Sequence, residues 1–172
     1  MLFRSGAVYG TARTAEKVER AREFGMDEGV VVSNDPGAFA EAVRTWARGA
    51  GVNVILDLVG STYLEANLEA LGMHGRLLLV GTLGGASAAL NFRHVMGKRL
   101  RVIGTVLRAR SVEEKAAAVR RFAAEVVPLL ARRSVSPVLD STFALADVSA
   151  AYARLESNET FGKVVLRVNR EP

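Results

Sequence analysis

The sequence has 172 residues, of which 49% are apolar and 24% charged, and its 23 basic and 18 acidic side chains give a formal net charge of +5. This length favours one domain of ordinary size, and the absence of cysteine excludes a disulfide framework and a thiolate zinc site. No apolar run has transmembrane length and no secretory signal is recognisable, so we expect no membrane association and a cytoplasmic location.

The basic excess is spread along the chain. Two Arg-Arg pairs, at residues 120–121 and 132–133, lie among acidic residues in one predicted helical segment, which is typical of a solvated face. A nucleic-acid-binding surface combines a dense basic stripe with aromatic residues, and only 6% of these residues are aromatic. The pattern argues against nucleic acid as a partner, whereas the net charge favours a phosphorylated cofactor.

Short apolar runs alternate with helical patterns along the first 106 residues. The clearest run, Gly51 to Gly60, is rich in Val, Ile and Leu and predicts a strand buried on both faces of a parallel sheet. The pattern predicts strands at residues 6–11, 29–33, 52–58, 75–81 and 100–106. It predicts helices at residues 15–24, from 35 or 36 to 46, and 62–71, with a turn at 34–37 and a short link at 90–97.

Ser111 opens the longest predicted helix, because Ser111 and Glu114 have capping-box spacing. Val112, Val119 and Phe122 begin an apolar stripe at helical spacing, and Pro128 should kink the helix or end its regular part. Beyond it we predict strands at 135–143 and 162–168 that flank a helix at 146–156. This change of rhythm places a boundary near residues 133–134, dividing 1–134 from 135–172.

The alternation predicts an α/β fold with a right-handed, doubly wound, mostly parallel sheet. Dinucleotide-binding sheets of this kind usually begin with a strand, a Gly-x-Gly-x-x-Gly turn and a helix. Gly6 and Gly10 have the wrong spacing and lie in a predicted strand, and Gly81, Gly84 and Gly85 precede no strong helix. The pyrophosphate-binding turn is therefore absent from these residues.

Six sequence blocks nevertheless occur together, in this order: GTARTAEK at 10–17, GAGVNVILDLVG at 49–60, GRLLLVGTLGG at 75–85, LRARS at 107–111, PVLD at 137–140 and NETFGKVV at 158–165. In these blocks the sequence resembles the medium-chain dehydrogenase/reductase superfamily, specifically its zinc-independent, zeta-crystallin-like NADPH:quinone oxidoreductases. Each block alone is weak, and their joint order and spacing are specific.

The resemblance covers the later half of such an enzyme and implies a Rossmann-like sheet that lacks its first strand. That strand is central in the order 3-2-1-4-5-6, so we expect a gap between the strands at 6–11 and 52–58. The two strands close up, another chain fills the gap, or the chain is unstable. Residues 135–172 form a strand-helix-strand extension that is expected to pack on a missing substrate domain.

The choice of cofactor follows from residues after the strand at 6–11. NAD-type folds place an acid there on the ribose 2′-hydroxyl, whereas NADP-type folds use a cation. Here Thr11, Arg13 and Thr14 precede the first acid, Glu16. The Arg13 guanidinium can contact a 2′-phosphate with two N–H groups, Lys17 can add charge, and the hydroxyls of Thr11 and Thr14 can donate. Lys17 is equally explained as a solvated helix residue. These residues predict NADP(H).

The resemblance implies further cofactor contacts at turns. Val59 and Gly60 would line the nicotinamide ribose. Those approaching the nicotinamide would be Gly81, Thr82 and Leu83. Those closing over the cofactor would be Leu107, Arg108, Gly162 and Lys163.

No catalytic residue is assigned. Asp57 is a possible catalytic acid, but a carboxylate that fixes the loop or caps the next helical turn is the favoured interpretation. His74 and His94 lie 20 residues apart without an acid or a cysteine at ligand spacing, so we predict no metal site.

The resemblance implies hydride transfer from NADPH to a quinone or an activated enone. The residues that orient the acceptor would belong largely to the missing domain, so the chain alone is expected to be inactive. The alternatives are an enoyl reductase domain of a polyketide or fatty-acid synthase and a non-catalytic nucleotide- or RNA-binding module. A methyltransferase-like domain would need an acid after its second strand, and none is present. The strand at residues 100–106 would be an edge strand, which predicts a symmetric homodimer there.

Overall fold

Strands and helices alternate throughout the computed structural model, which describes residues 6–32 and 35–168. The chain divides into two units, Met1–Ala109 and Arg110–Pro172, whereas the sequence places a boundary near residues 133–134. Every strand pair in the described ranges is parallel. The chain is thus an α/β protein with parallel strands, as predicted.

The first unit contains five strands and four helices. Its strands are β1 (Tyr9–Ala12), β2 (Glu28–Val31), β3 (Val52–Asp57), β4 (Leu71–Leu79) and β5 (Arg101–Gly104). Its helices are α1 (Ala15–Arg22), α2 (Gly37–Trp46), α3 (Leu64–Ala70) and α4 (Phe92–Gly97), and a 3₁₀ turn at Ser61–Tyr63 precedes α3. Each element matches a predicted segment with shifted ends. The predicted strand end Ser33 and the turn residue Asn34 lie outside the described residues.

The strands of the first unit form two separate sheets, β1-β2 and β3-β4-β5. In the larger sheet, Ile55, Leu77 and Val102 lie side by side across the three strands. No hydrogen-bonded pairing between β1 and β3 occurs in the described part of the chain. The two strands have not closed up, and their order is that of a 3-2-1-4-5-6 sheet without strand 1.

Helix α2 packs against both sheets. Phe39, Ala40 and Val43 of this helix are buried in one cluster with Ala66 and Ala70 of α3. Partly buried residues of both sheets pack against that cluster: Tyr9, Val30, Val52 and Ile55. Burial of apolar surface is non-directional, so one helix can hold two sheets that share no hydrogen bonds.

A second cluster lies where α3 meets β4 and β5. Leu68, Leu71 and Leu77 are almost completely buried there, together with Leu100. The Lys98 ammonium nitrogen donates to the carbonyl oxygens of Leu68, Glu69 and Leu71 at 2.8–2.9 Å. These bonds satisfy carbonyl groups at the end of α3 that the helix itself leaves unpaired.

One face of β3 contradicts the sequence expectation of burial on both sides. Asp57 is buried and Ile55 is half-buried, but Val54 and Leu56 on the opposite face are 44% and 62% exposed. Continuous apolar composition is typical of strands covered on both faces. Here no described element buries the face that carries Val54 and Leu56.

The second unit begins with α5 (Val112–Glu125) and α6 (Val127–Ala131), followed by β6 (Leu139–Ala144), α7 (Val148–Glu156) and β7 (Lys163–Arg167). The predicted capping box is present, because Ser111 Oγ accepts from Glu114 N and the Glu114 carboxylate accepts from Ser111 N. Pro128 lies in the first turn of α6, after the break that it was expected to cause. The apolar stripe of α5 is exposed, and this helix buries none of its residues.

Candidate functional site

The turns after β3 and β4 are tied together by three hydrogen bonds. Ser61 N donates to Gly85 O at 3.0 Å, and Gly84 N donates to Val59 O at 2.7 Å. The Ser61 hydroxyl donates to Gly84 O at 2.9 Å. Both turns lie at the carboxyl ends of neighbouring parallel strands, where ligands bind in open α/β sheets.

Asp57 holds the first of these turns in place. Its carboxylate is 4% exposed and accepts from Val59 N at 2.7 Å and Gly60 N at 3.0 Å through Oδ1. Its other oxygen accepts from Asn67 Nδ2 at 2.9 Å. All three bonds are internal to the protein, which matches the loop-fixing interpretation of Asp57 rather than a catalytic acid.

Gly60 is required by the backbone of the same turn. Its φ is +91°, in the region that favours glycine. A Cβ atom added there would lie 2.7 Å from Gly85 O and 3.0 Å from Thr82 Cα. Glycine thus lets the two turns lie against each other.

The residues predicted to select the cofactor follow β1. Thr11 lies in the strand, and Arg13 is exposed in the turn after it. Thr14 is the N-cap of α1, where its hydroxyl accepts from Lys17 N at 3.3 Å. Lys17 is half-buried in the first turn of the helix.

Tyr63 connects this group electrostatically with the Asp57 turn. Burial raises the pKa of the Tyr63 hydroxyl, the positive charge of Arg13 lowers it and the negative charge of Asp57 raises it further. The Tyr63 ring stacks on Phe39 with a centroid distance of 5.6 Å. Arg13 and Asp57 therefore lie at the same end of the first unit, with Tyr63 within reach of both charges.

Sequence reasoning missed Tyr63 and Asn67. Tyr63 falls in a turn that the sequence predicts as helix, three residues after Gly60. Asn67 is 2% exposed on α3, between the buried residues Ala66 and Leu68. The signal for Asn67 was a polar residue inside an apolar helical face, because a buried amide requires a hydrogen-bond partner.

The other predicted contacts differ in their surroundings. In the first unit, Gly81 is half-buried in the turn after β4, where its N–H donates to Asp57 O at 3.3 Å. Four others are exposed there: Thr82, Leu83, Leu107 and Arg108. Gly162 and Lys163 belong to the second unit, at the start of β7.

In the second unit, Asp140 joins two of the sequence blocks. Its carboxylate accepts from the Arg154 guanidinium at 3.0 and 3.1 Å and from Phe161 N at 2.9 Å. The Arg154 bonds, followed by the Phe161 bond, hold the pKa of Asp140 well below its usual range. This carboxylate fixes the chain that leads into Gly162, whose φ is +110°.

Metal-ligand chemistry is not supported by the part of the chain that the structure describes. No group of three or more His, Asp or Glu side chains there could hold a metal ion. His94 lies 3.5 Å from Glu65, and His74 interrupts β4 at a φ of +58°. Within residues 6–32 and 35–168, no helix is both long and apolar enough to cross a bilayer.

Parallel strands in this order, with glycine-containing turns at their carboxyl ends, define a nucleotide-binding α/β fold of the Rossmann type. The chain belongs to the zinc-binding dehydrogenase family of the medium-chain dehydrogenase/reductase superfamily, whose family model matches residues 24–166. The family is NAD(P)-dependent. The described residues do not fit the zinc ion of the family's name, so no step is derived through a metal.

The chain is similar to quinone oxidoreductase of Rattus norvegicus, at 28% identity over 160 residues that cover 92% of this chain and 46% of that protein. It is also similar to highly-reducing polyketide synthase 1 of Aureobasidium melanogenum, at 26% identity over 92% of this chain and 7% of the synthase. A mycobacterial structure complexed with NADPH matches with a TM-score of 0.80 and 26% identity, over 94% of this chain and 50% of that chain. The chain thus spans half the length of these proteins or less.

Replacing Asp57 by Ala is expected to destabilise the first unit by about 2–4 kcal/mol, because two backbone amides and the Asn67 amide lose a buried acceptor. Urea unfolding followed by circular dichroism measures the change. Asp35→Ala is the control, since Asp35 is exposed and accepts one bond, from Gly37 N. A loss no larger than that of the control would contradict the anchoring role.

Asp140→Asn is expected to lower the melting temperature of the second unit at pH 7. The folded pKa of Asp140 lies below the unfolded value of about 4, so its stabilisation is complete above that value and is lost as the pH falls further. The difference between wild type and variant should therefore shrink below about pH 4. Melting curves from pH 7 to pH 3 test this.

Glu156→Gln is the control for that comparison, because Glu156 is exposed on α7 and has no resolved pKa shift. Its difference from wild type should be small at every pH. An Asp140→Asn difference that stays constant with pH would contradict the assignment.

Proposed function

We propose that residues 1–172 bind NADPH as part of an oxidoreductase that reduces quinones or activated enones by hydride transfer. The observation that supports this most is the position of Arg13. It follows β1 at the same end of the first unit as the Asp57 turn, and no carboxylate side chain precedes Glu16 there. A guanidinium at this place favours a 2′-phosphate over a free 2′-hydroxyl.

The bound nicotinamide would supply the hydride, and the protein would hold and shield it. Arg13 would bind the 2′-phosphate, with Thr11, Thr14 and Lys17 beside it. Because Thr14 Oγ accepts from Lys17 N, its hydroxyl proton remains able to donate to a phosphate oxygen.

The turns after β3 and β4 would receive the nicotinamide end. Their contribution is backbone, since Val59, Gly60 and Gly81 are held by Asp57 before any ligand binds. Preorganised groups of this kind reduce the ordering cost of binding. Further contacts are proposed for the exposed residues of the same set and for the second unit: Thr82, Leu83, Leu107, Arg108, Gly162 and Lys163.

An enoyl reductase domain of a polyketide synthase is the second candidate, because synthases are among the chain's relatives. The two functions share the cofactor and differ in the acceptor, a quinone or a thioester-activated enone. Sequence adjoining residues 1–172 that belongs to a synthase would favour this candidate.

Arg13→Ala is expected to weaken NADPH binding about tenfold or more, since a charge-assisted bidentate contact contributes at least about 1.4 kcal/mol. NADH binding should change less than about twofold. Titration of both nucleotides by fluorescence or calorimetry measures the ratio.

Arg93→Ala is the control for that experiment, because Arg93 is exposed on α4. It should change neither affinity by more than about twofold. Equal binding of NADPH and NADH by the unmodified chain, unaltered by Arg13→Ala, would refute the proposed 2′-phosphate site.

We further propose a symmetric homodimer through β5. This strand pairs with β4 alone among the described strands, and its four residues are exposed. An unpaired strand edge is a template for a second copy. Sedimentation should show a species of twice the 18.4 kDa chain mass, and Val102→Pro should shift it to monomer. A monomer at all concentrations would contradict this proposal.

A further inference from the structure

A long groove separates the two sheets of the first unit. It has a volume of about 1140 Å³, and β1 and β3 form its opposite sides. Three residues of α2 that line it form an apolar surface, Phe39, Val43 and Trp46. The Trp46 ring lies 5.2 Å from the Tyr9 ring of β1.

The β3 side of the groove has backbone groups that no described strand pairs. The carbonyl of Asp57 accepts from Val80 N at 2.8 Å, so Asp57 directs its backbone toward β4. Alternate residues of a strand direct their N–H and C=O groups to opposite sides. Val54 and Leu56 therefore direct theirs into the groove.

The β1 side has the same property. The carbonyls of Val8 and Ala12 accept from Asp27 N and Val32 N at 2.9 and 2.8 Å, so these two residues direct their backbone toward β2. Tyr9 lies one residue after Val8, and Thr11 lies one residue before Ala12. Their backbone groups face β3 across the groove, and β1 and β3 lie on either side of a single gap.

We propose that this groove binds one extended polypeptide strand from outside residues 1–172, parallel to β1 and β3, which joins the two sheets into one. Such a strand would be about six residues long, or roughly 20 Å, to match β3. It would be apolar, because it would lie over α2 and beside the exposed Val54 and Leu56.

Residues before β1 do not supply this strand. Only eight residues precede Tyr9, and the connection between two parallel strands needs a dozen or more. The two sides are held apart by α2, whose buried residues contact both sheets. The groove is therefore formed before the strand binds.

The experiment uses chain 1–172 and a synthetic peptide of about six Val, Ile and Thr residues followed by Gly-Ser-Gly-Ser-Ala-Gly. Trp46, the only tryptophan in the sequence, reports binding from inside the groove. A saturable change in its emission is expected. A peptide with N-methyl groups at alternate strand residues is equally apolar but cannot donate hydrogen bonds from those positions, and it should bind at least tenfold more weakly.

Two proline variants locate the binding edge. Leu56→Pro removes an N–H that faces the groove and should weaken peptide binding at least tenfold. Val102→Pro removes an edge N–H on β5, at the far side of the same sheet, and should leave peptide binding unchanged. If circular dichroism shows that Leu56→Pro is unfolded, the two peptides on the unmodified chain decide.

Equal binding of both peptides, absence of binding, or loss of binding in Val102→Pro alone would overturn the proposal. So would a dimer whose formation abolishes the Trp46 response, since a second copy would then fill the groove. All these measurements are made without nucleotide, so they do not depend on the proposed function. If the peptide binds but leaves NADPH affinity unchanged, only the nucleotide proposal is weakened.

Discussion

One buried carboxylate organises the candidate site. Asp57 ends β3, fixes the turn after it through two backbone amides and contacts α3 through Asn67. A carboxylate removed from water is stable only when its oxygens accept hydrogen bonds, so strand, turn and helix are held in one arrangement. Gly60 and the turn after β4 take their positions from that arrangement.

The first unit has a continuous core although its sheet is divided. Backbone pairing stops between β1 and β3, but α2 and α3 bury apolar side chains from both sheets. The two kinds of interaction differ in their requirements. Hydrogen bonds need a partner strand at a fixed spacing, whereas apolar contacts need only a surface. The core can therefore persist where the ladder of hydrogen bonds is interrupted.

The same division explains which predictions from the sequence succeeded. The alternation of strands and helices, the Ser111 capping box and the break at Pro128 were predicted, because each depends on residues close together in the chain. Burial of β3 on both faces was predicted wrongly. Its composition indicates what each face could bury, but not whether another element is present to cover it.

The sequence by itself determined the fold class, the family and the lack of an acid before Glu16, since these are properties of residue order and local pattern. Only the tertiary structure decided that Asp57 is an anchor, that Tyr63 senses both Asp57 and Arg13, and that a groove separates β1 from β3. The physical reason is distance along the chain. Lys98 bonds to carbonyls 27–30 residues away, and such partners are chosen by packing, which no local pattern encodes.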